Sequence, residues 1–220
     1  ARFHYPFGIT IDGDYLYVAD RENHQIRRVH KSTGEVTTFA GSGVAGSADD
    51  TTGTDATFYA PEGITNDGTN LYVSGTQNQK IRKIVIASGV VTTLAGSGDI
   101  GSANGTGAAA SFQYPRAITS DGTNLYVTDS NNHSIRKVVI STGKVTTIAG
   151  SGSAGSADGT STSATFSAPE GIVSDSTNLY VLDTQNQTIR KIDLSVTETA
   201  DLTLYNLDDD TDVTVAVSSS

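Results

Sequence analysis

The sequence predicts an all-β protein, a β-propeller of four four-stranded blades, and three observations carry the prediction. Four prolines, Pro6, Pro61, Pro115 and Pro169, recur at spacings of 55, 54 and 54 residues, each heading the same ordered set of segments. Within each copy short apolar alternations of period two are separated by turn residues. No helical period competes with them, and four hairpin-joined strands per repeat is the content of one propeller blade.

The copies open at Phe3 to Ile9, Phe58 to Ile64, Phe112 to Ile118 and Phe166 to Ile172, each with proline three positions after the aromatic residue. A turn follows, Asp12-Gly13, Asp67-Gly68, Asp121-Gly122 and Asp175-Ser176, and leads into Leu-Tyr-Val at 16–18, 71–73, 125–127 and 179–181. Asp-Gly between apolar alternations is a strong short-range hairpin signal. A second polar turn holds His24, Gln79, His133 and Gln187 at one register. It runs into Ile-Arg at 26–27, 81–82, 135–136 and 189–190, where apolar and charged residues alternate as in a half-buried strand. Glycines 34, 89 and 143 introduce the fourth strands, Val36 to Phe39, Val91 to Leu94 and Val145 to Ile148, rich in β-branched residues.

With these segments in place, the residues resemble the NHL repeat family. Copy one carries the motif in Pro6, Gly8, Ile9, Leu16, Tyr17, Val18, Ala19, Asp20, Asn23, His24, Ile26 and Arg27. The resemblance covers residues 3–194 and implies a propeller with blades at about 3–57, 58–111, 112–165 and 166–207. It also brings functional classes that this chain does not match. Some NHL proteins bind RNA on a basic face, and some similar propellers are metal-dependent lyases acting on amidated-peptide precursors, using several histidines and disulfides. Here there are four histidines, two of them in register, and no cysteine.

Two departures between copies are informative. The aspartate at 20, 129 and 183 becomes Gly75, and the glycine at 8, 63 and 171 becomes Ala117, a position that therefore does not demand positive φ.

Copy four lacks the Val-Thr-Thr segment, its register falling near Thr199 within Ser195 to Asp201. Residues 1–196 form the propeller and 197–220 an acidic, strand-forming tail, either a donor strand or the opening of a further β domain. The period-two segments Asp201 to Leu207 and Asp212 to Val217 place Leu202, Leu204, Val213, Val215 and Val217 as assembly residues. An unpaired blade edge is a template for another chain, so the last blade is completed by the tail or by a neighbour.

The chain carries 14 basic and 24 acidic residues, net −10. Six of the acids lie from Glu198 onward with no base among them, which leaves about −4 for the repeats, 18 acids against 14 bases. That balance argues against nucleic acid, whose binding rests on clustered cations. Absence of cysteine removes disulfides and thiolate chemistry. No apolar run reaches a membrane span. A chain beginning Ala1-Arg2-Phe3 without methionine reads as a processed product or an excerpt. The composition suits an extracellular or cell-surface setting.

Candidate sites are few. His24 and His133, with Gln79 and Gln187, are either turn residues bonded to local backbone or a two-histidine rim site. Arg27, Arg82, Arg136 and Arg190 pair with carboxylates or carbonyls, Asp20, Asp129 and Asp183 first, or form an anion-binding ring. Arg82 faces Gly75 in place of that aspartate and is the arginine to watch for a ligand. Tyr17, Tyr72, Tyr126 and Tyr180 pack between blades or stack a sugar. The Gly/Ser-rich inter-blade loops are connectors, with calcium possible at Asp49, Asp50 and Asp158. No Gly-x-Ser-x-Gly elbow accompanies a helix. The expected function is non-catalytic: a self-associating structural subunit of a surface fibre or sheath. The alternatives are a rigid module binding a ligand or another surface protein and, behind it, a lyase-type enzyme.

Overall fold

The computed structural model describes residues 1–195 and the strand 204–206, and their sheets are the predicted blades. Blade one is β1 (Pro6–Asp12), β2 (Tyr15–Asp20), β3 (Gln25–His30) and β4 (Val36–Ala40). Blade two is β5 (Pro61–Asn66), β6 (Asn70–Gly75), β7 (Lys80–Val85) and β8 (Val91–Ala95). A two-residue strand, β9 (Gly105–Thr106), precedes blade three, which is β10 (Pro115–Ser120), β11 (Asn124–Asp129), β12 (Ser134–Val139) and β13 (Lys144–Ala149). Blade four is β14 (Pro169–Ser174), β15 (Asn178–Asp183), β16 (Thr188–Asp193) and β17 (Leu204–Asn206). Each blade is an antiparallel sheet in chain order, and β9 adds a fifth strand beside β13.

The tail completes the last blade within the same chain. Leu204 stands opposite Ile192 and Tyr205 opposite Lys191 in the β16–β17 ladder. Leu204 is thus an intramolecular pairing position, not a strand given to a neighbour. Leu202, Val213, Val215 and Val217 lie outside the described residues.

Turn chemistry explains the hairpins. Asp67 accepts the amides of Thr69 and Asn70, at 2.8 and 2.7 Å, and the Tyr72 hydroxyl at 2.7 Å. Asp121 does the same with Thr123, Asn124 and Tyr126. Asp175 repeats it with Thr177, Asn178 and Tyr180. The hydroxyls of Tyr72, Tyr126 and Tyr180 therefore lock the turn behind them, and Tyr17, Tyr72 and Tyr126 pack in the core between blades. Burial raises the Tyr72 and Tyr126 phenols, and the bonded carboxylates raise them further.

The core lies between blades. Tyr17, Ala19, Ile26 and Ala40 of blade one pack on Phe58, Ile64, Leu71, Val73, Ile84 and Val91 of blade two. Tyr72 and Ile81 likewise meet Phe112, Ile118, Leu125 and Val138. Tyr126 and Ile135 meet Phe166, Leu179, Val181 and Ile192. Each blade thus offers one face to the blade ahead and another to the blade behind. Inner strands β1, β5, β10 and β14 pack in that succession, but β14 does not pack back on β1 as its predecessors pack on each other. Among the described residues four blades make three cores, and blade four does not close on blade one.

The inter-blade joints as the candidate functional site

The polar residues that recur in the sequence converge on the joints. Each second strand is followed by a short turn, of 3-10 type in blades one, three and four, that closes on His24, Gln79, His133 or Gln187 in the left-handed conformation, φ 49 to 58°. That geometry aims the side chain at the next blade and away from its own turn. The Ala60 amide donates to His24 Nδ1 at 3.2 Å, the Tyr114 amide to Gln79 Oε1 at 2.7 Å, and the Ala168 amide to His133 Nδ1 at 3.0 Å. A neutral imidazole accepting at Nδ1 carries its proton on Nε2, so His and Gln are interchangeable here as acceptors. The sequence expectation of a bond to local backbone is corrected: the partner lies 35 or 36 residues ahead. Gln187 is exposed and makes no such bond among the described residues.

The amides so held belong to residues that precede proline and also have positive φ, namely Ala60 (48°), Tyr114 (54°) and Ala168 (47°). Left-handed backbone at a residue with a Cβ is strained, and the joint supplies the contact that maintains it.

A second element is the arginine ladder. Arg136 Nη1 donates to Asp129 at 2.7 Å and Arg190 Nη1 to Asp183 at 3.1 Å, as the sequence led us to expect, and Arg27 Nη1 meets Asp20 at 3.2 Å. The same arginines also grip the loop arriving from the preceding blade. Arg136 Nη2 donates to Ala103 O and Asn104 Oδ1, both at 3.0 Å, and Arg190 Nη2 to Ala157 O at 3.2 Å and Asp158 Oδ1 at 2.6 Å. Each guanidinium sits over a buried phenylalanine, Arg82 over Phe58 at 5.0 Å, Arg136 over Phe112 and Arg190 over Phe166 at 5.2 Å.

Arg82 is not the open cation the sequence pointed to. Facing Gly75, it turns to the loop, with Nη2 on Asp49 Oδ1 at 2.7 Å and Ala48 O at 2.9 Å, and Nη1 on Thr57 O at 2.8 Å. Its side chain is buried. Burial lowers its pKa, and the adjacent Asp49 works in the opposite direction. Asp129, equally buried, has its pKa raised by desolvation against the bonds from Asn132, Gln113 and Arg136.

The loops are therefore clasps. Asp49 also accepts the Thr93 amide at 2.9 Å, and Asn104 that of Thr147 at 2.9 Å. Phe58, Phe112 and Phe166 anchor them, as expected, each bridged to the loop at Ala45, Ile100 or Ala154. At the loops where the sequence offered calcium ligands, Asp49 and Asp158 face guanidinium groups, and Asp50 Oδ1 accepts the amide of Thr52. Among the described residues no group of three or more His, Asp or Glu is placed to hold a metal ion. His24 and His133, the proposed rim pair, have Nδ1 engaged by backbone.

Sequence reasoning missed the position after each proline, Phe7, Glu62, Arg116 and Glu170. Arg21 Nε donates to Glu62 at 2.8 Å and Arg116 Nη1 to Glu170 at 2.7 Å, with Arg116 Nε 4.0 Å from the other Glu62 oxygen. The bond to Glu62 raises the Arg21 pKa against partial burial. This row crosses the inner strands from blade one to blade four. Its signal was present in the sequence: within a strongly repeated segment, this position differs between copies.

A propeller built of tandem repeats, with its shared polar groups committed to holding blade on blade, is the class that fold and site define. No protein-family model matches the chain. It is 32% identical over 206 residues, 87% of its length, to Protein SUPPRESSOR OF QUENCHING 1, chloroplastic, of Arabidopsis thaliana. It is 33% identical over 172 residues, 71% of its length, to NHL repeat-containing protein 2 of Bos taurus. A solved structure of a Bacteroides thetaiotaomicron protein of unknown function superposes with a TM-score of 0.69 at 27% identity over 84% of the chain. The chain belongs to the NHL-repeat β-propellers. It spans 19% and 24% of the length of these two curated relatives and 46% of the solved one.

Proposed function

We propose that the chain is a non-catalytic, extracellular propeller module that serves as a structural subunit, joining other protein molecules through its exposed apolar surface. The observation that carries this reading is the placement of apolar surface. Tyr5, Phe7, Ile9 and Ile11 on blade one, and Val173, Leu182 and Ile189 on blade four, are exposed, while their repeat-mates at the three joints include fully buried core residues. Val44, Tyr59 and Ile100 are exposed on the connections between blades as well, and exposed apolar surface is the usual mark of an interaction site. The arginines and turn residues that suggested a ligand or metal are engaged at the joints, and the fold's acidic balance disfavours nucleic acid. No helix among the described residues is long and apolar enough to cross a membrane.

Negative-stain electron microscopy and sedimentation velocity of the purified chain test the reading. Particles larger than one copy are expected, and single copies at every concentration would overturn it. A second reading, a rigid binding module, draws on the Arg21, Glu62, Arg116 and Glu170 row, where buried Glu62 Oε2 has no hydrogen-bond donor. An alternating row of charges along the inner strands suits a zwitterionic ligand.

A further inference from the structure

The geometry points to a carboxylate-binding site on blade one, built from Tyr15, Arg28, His30, Glu35 and Thr37 at the end of the blade where the β1–β2 and β3–β4 turns lie. It is separate from the apolar surface of the assembly reading, and nothing in it depends on what lies beyond the first or last blade.

The signal is a set of departures that fall on one spot. Tyr15 stands where the other blades have Asn70, Asn124 and Asn178, and Arg28 where they have Lys83, Lys137 and Lys191. His30, opposite Tyr15 in the β2–β3 ladder, replaces Val85, Val139 and Asp193, which stand opposite those asparagines. Glu35 corresponds to Val90 and Lys144, and Phe39 to Leu94 and Ile148. In blades two to four the asparagine amide and the tyrosine hydroxyl are both gathered by the turn aspartate. Blade one gives that lock up: Tyr15 has no side-chain amide to donate, and the Tyr17 hydroxyl has Arg28 as its hydrogen-bonding neighbour. A local stabilising device abandoned in one copy points to a purpose other than folding.

The replacement residues make a preorganised anion receptor. The Arg28 guanidinium lies 4.7 Å from the centroid of the Tyr15 ring and 5.6 Å from that of Phe39. His30 meets Tyr15 edge-on at 5.1 Å, and its Nδ1 is 3.1 Å from Ser32 Oγ. With that hydroxyl donating, the imidazole carries its own proton on Nε2. Tyr15 and Phe39 pack in turn on the core between blades one and two, which fixes the back wall. Stacking leaves the edge of a guanidinium free for a forked bond to a carboxylate. Arg27, Arg82, Arg136 and Arg190 already hold carboxylates, whereas none among the described residues pairs with Arg28. Arg28, His30 and Thr37 bring donors to a cavity of about 50 Å³, where a single water needs only about 10 to 15 Å³. The space suits a small carboxylate. Glu35 on the same wall repels a second negative charge, which favours a monoanion over phosphate.

NMR titration of the full chain tests the site, with acetate as the probe, acetamide as its neutral match and inorganic phosphate as the more highly charged anion. Acetate should shift the Arg28 Nε–H and His30 ring resonances to saturation, acetamide should leave them in place, and phosphate should bind more weakly than acetate. Arg28→Lys and Tyr15→Asn install the residues of the other blades, so both should keep the thermal midpoint. Each should weaken acetate binding about tenfold or more, read at His30. Glu35→Gln should strengthen it, an effect that a stack serving stability alone would not produce. Shifts that fail to saturate, an equal response to acetamide, tighter binding of phosphate, or unchanged affinity in Arg28→Lys would each overturn the site.

Discussion

Asp49, on the loop leaving blade one, closes on Arg82 of blade two at 2.7 Å and takes the part that Asp129 plays for Arg136 from within its own blade. The guanidinium is buried while the Asp49 carboxylate is nearly half exposed. Blade two therefore keeps only the carboxylate delivered by the connection, where blade four has that one and another inside the sheet.

Replacing Asp49 with alanine leaves Arg82 buried on carbonyls alone. The expected loss is about 1 to 3 kcal/mol, below that for a fully buried pair because solvent screens the exposed carboxylate. Gly75→Asp should restore most of it in the double variant, since a Cβ at Gly75 meets only ordinary contacts, Lys80 O at 3.4 Å and Asn78 Cβ at 3.5 Å. Urea midpoints of the three proteins decide it, and a double variant no better than Asp49→Ala would show that the sheet position cannot reach Arg82.

The acceptor residues give a contrast within one chain. Gln79→Ala should lower stability by about 1 to 2 kcal/mol, because it leaves the Tyr114 amide unpaired at a buried joint. Gln187→Ala, at an exposed register with no inter-blade bond among the described residues, should stay within about 0.5 kcal/mol. Denaturant titration at low protein concentration reads both, and equal losses would contradict the joint role.

Gly63 lies against the blade ahead, where an added Cβ would run into Arg116 O and crowd Ala117 Cα. Gly63→Ala should cost about 1 to 3 kcal/mol through displaced backbone, although φ there is unremarkable for any residue. A variant as stable as the parent in a thermal melt would mean that the blades can separate slightly without loss.

Acid should weaken the hairpins before the arginine ladder. Burial raises the pKa of Asp67 and Asp121, but the turn amides, Asn70 or Asn124, and the tyrosine hydroxyl outweigh it and leave both below the ordinary 3.8. Asp175, held mainly by Asn178, falls to about 2. Groups with lowered folded values contribute stability that is present above 3.8 and lost as pH falls through the folded values. Asp129 has the opposite sign, its raised value giving stability that declines as pH rises past 3.8. Melting temperature followed from pH 5 to 2 should therefore fall, and more gently in Asp67→Asn. Parallel curves would remove the turn aspartate from the account.

The blades were legible because strand and turn signals are local: alternation, Asp-Gly and β-branched runs act within a few residues. The pairing of Arg136 with Asp129 and of Arg190 with Asp183 was legible for the same reason, both partners sitting on adjacent strands of one hairpin. The Asp49 clasp was not, because a Gly/Ser-rich loop looks permissive and its target lies 33 residues ahead. Nor does His24 reveal from its own neighbourhood that it reaches Ala60, since only the left-handed turn redirects it. The axial row was hidden by its variety, Phe7, Glu62, Arg116 and Glu170 sharing no chemistry to match.

Every joint is assembled from parts of two consecutive blades and the connection between them. Removing or duplicating one whole repeat would thus keep the shared parts of a joint, the buried phenylalanine, its arginine and the turn acceptor, but would alter the charge row, where loss of blade two takes Glu62 from both Arg21 and Arg116. Strength at a joint and the size of the array are separate inheritances: the first is written in each repeat, the second only in how many times the repeat was copied.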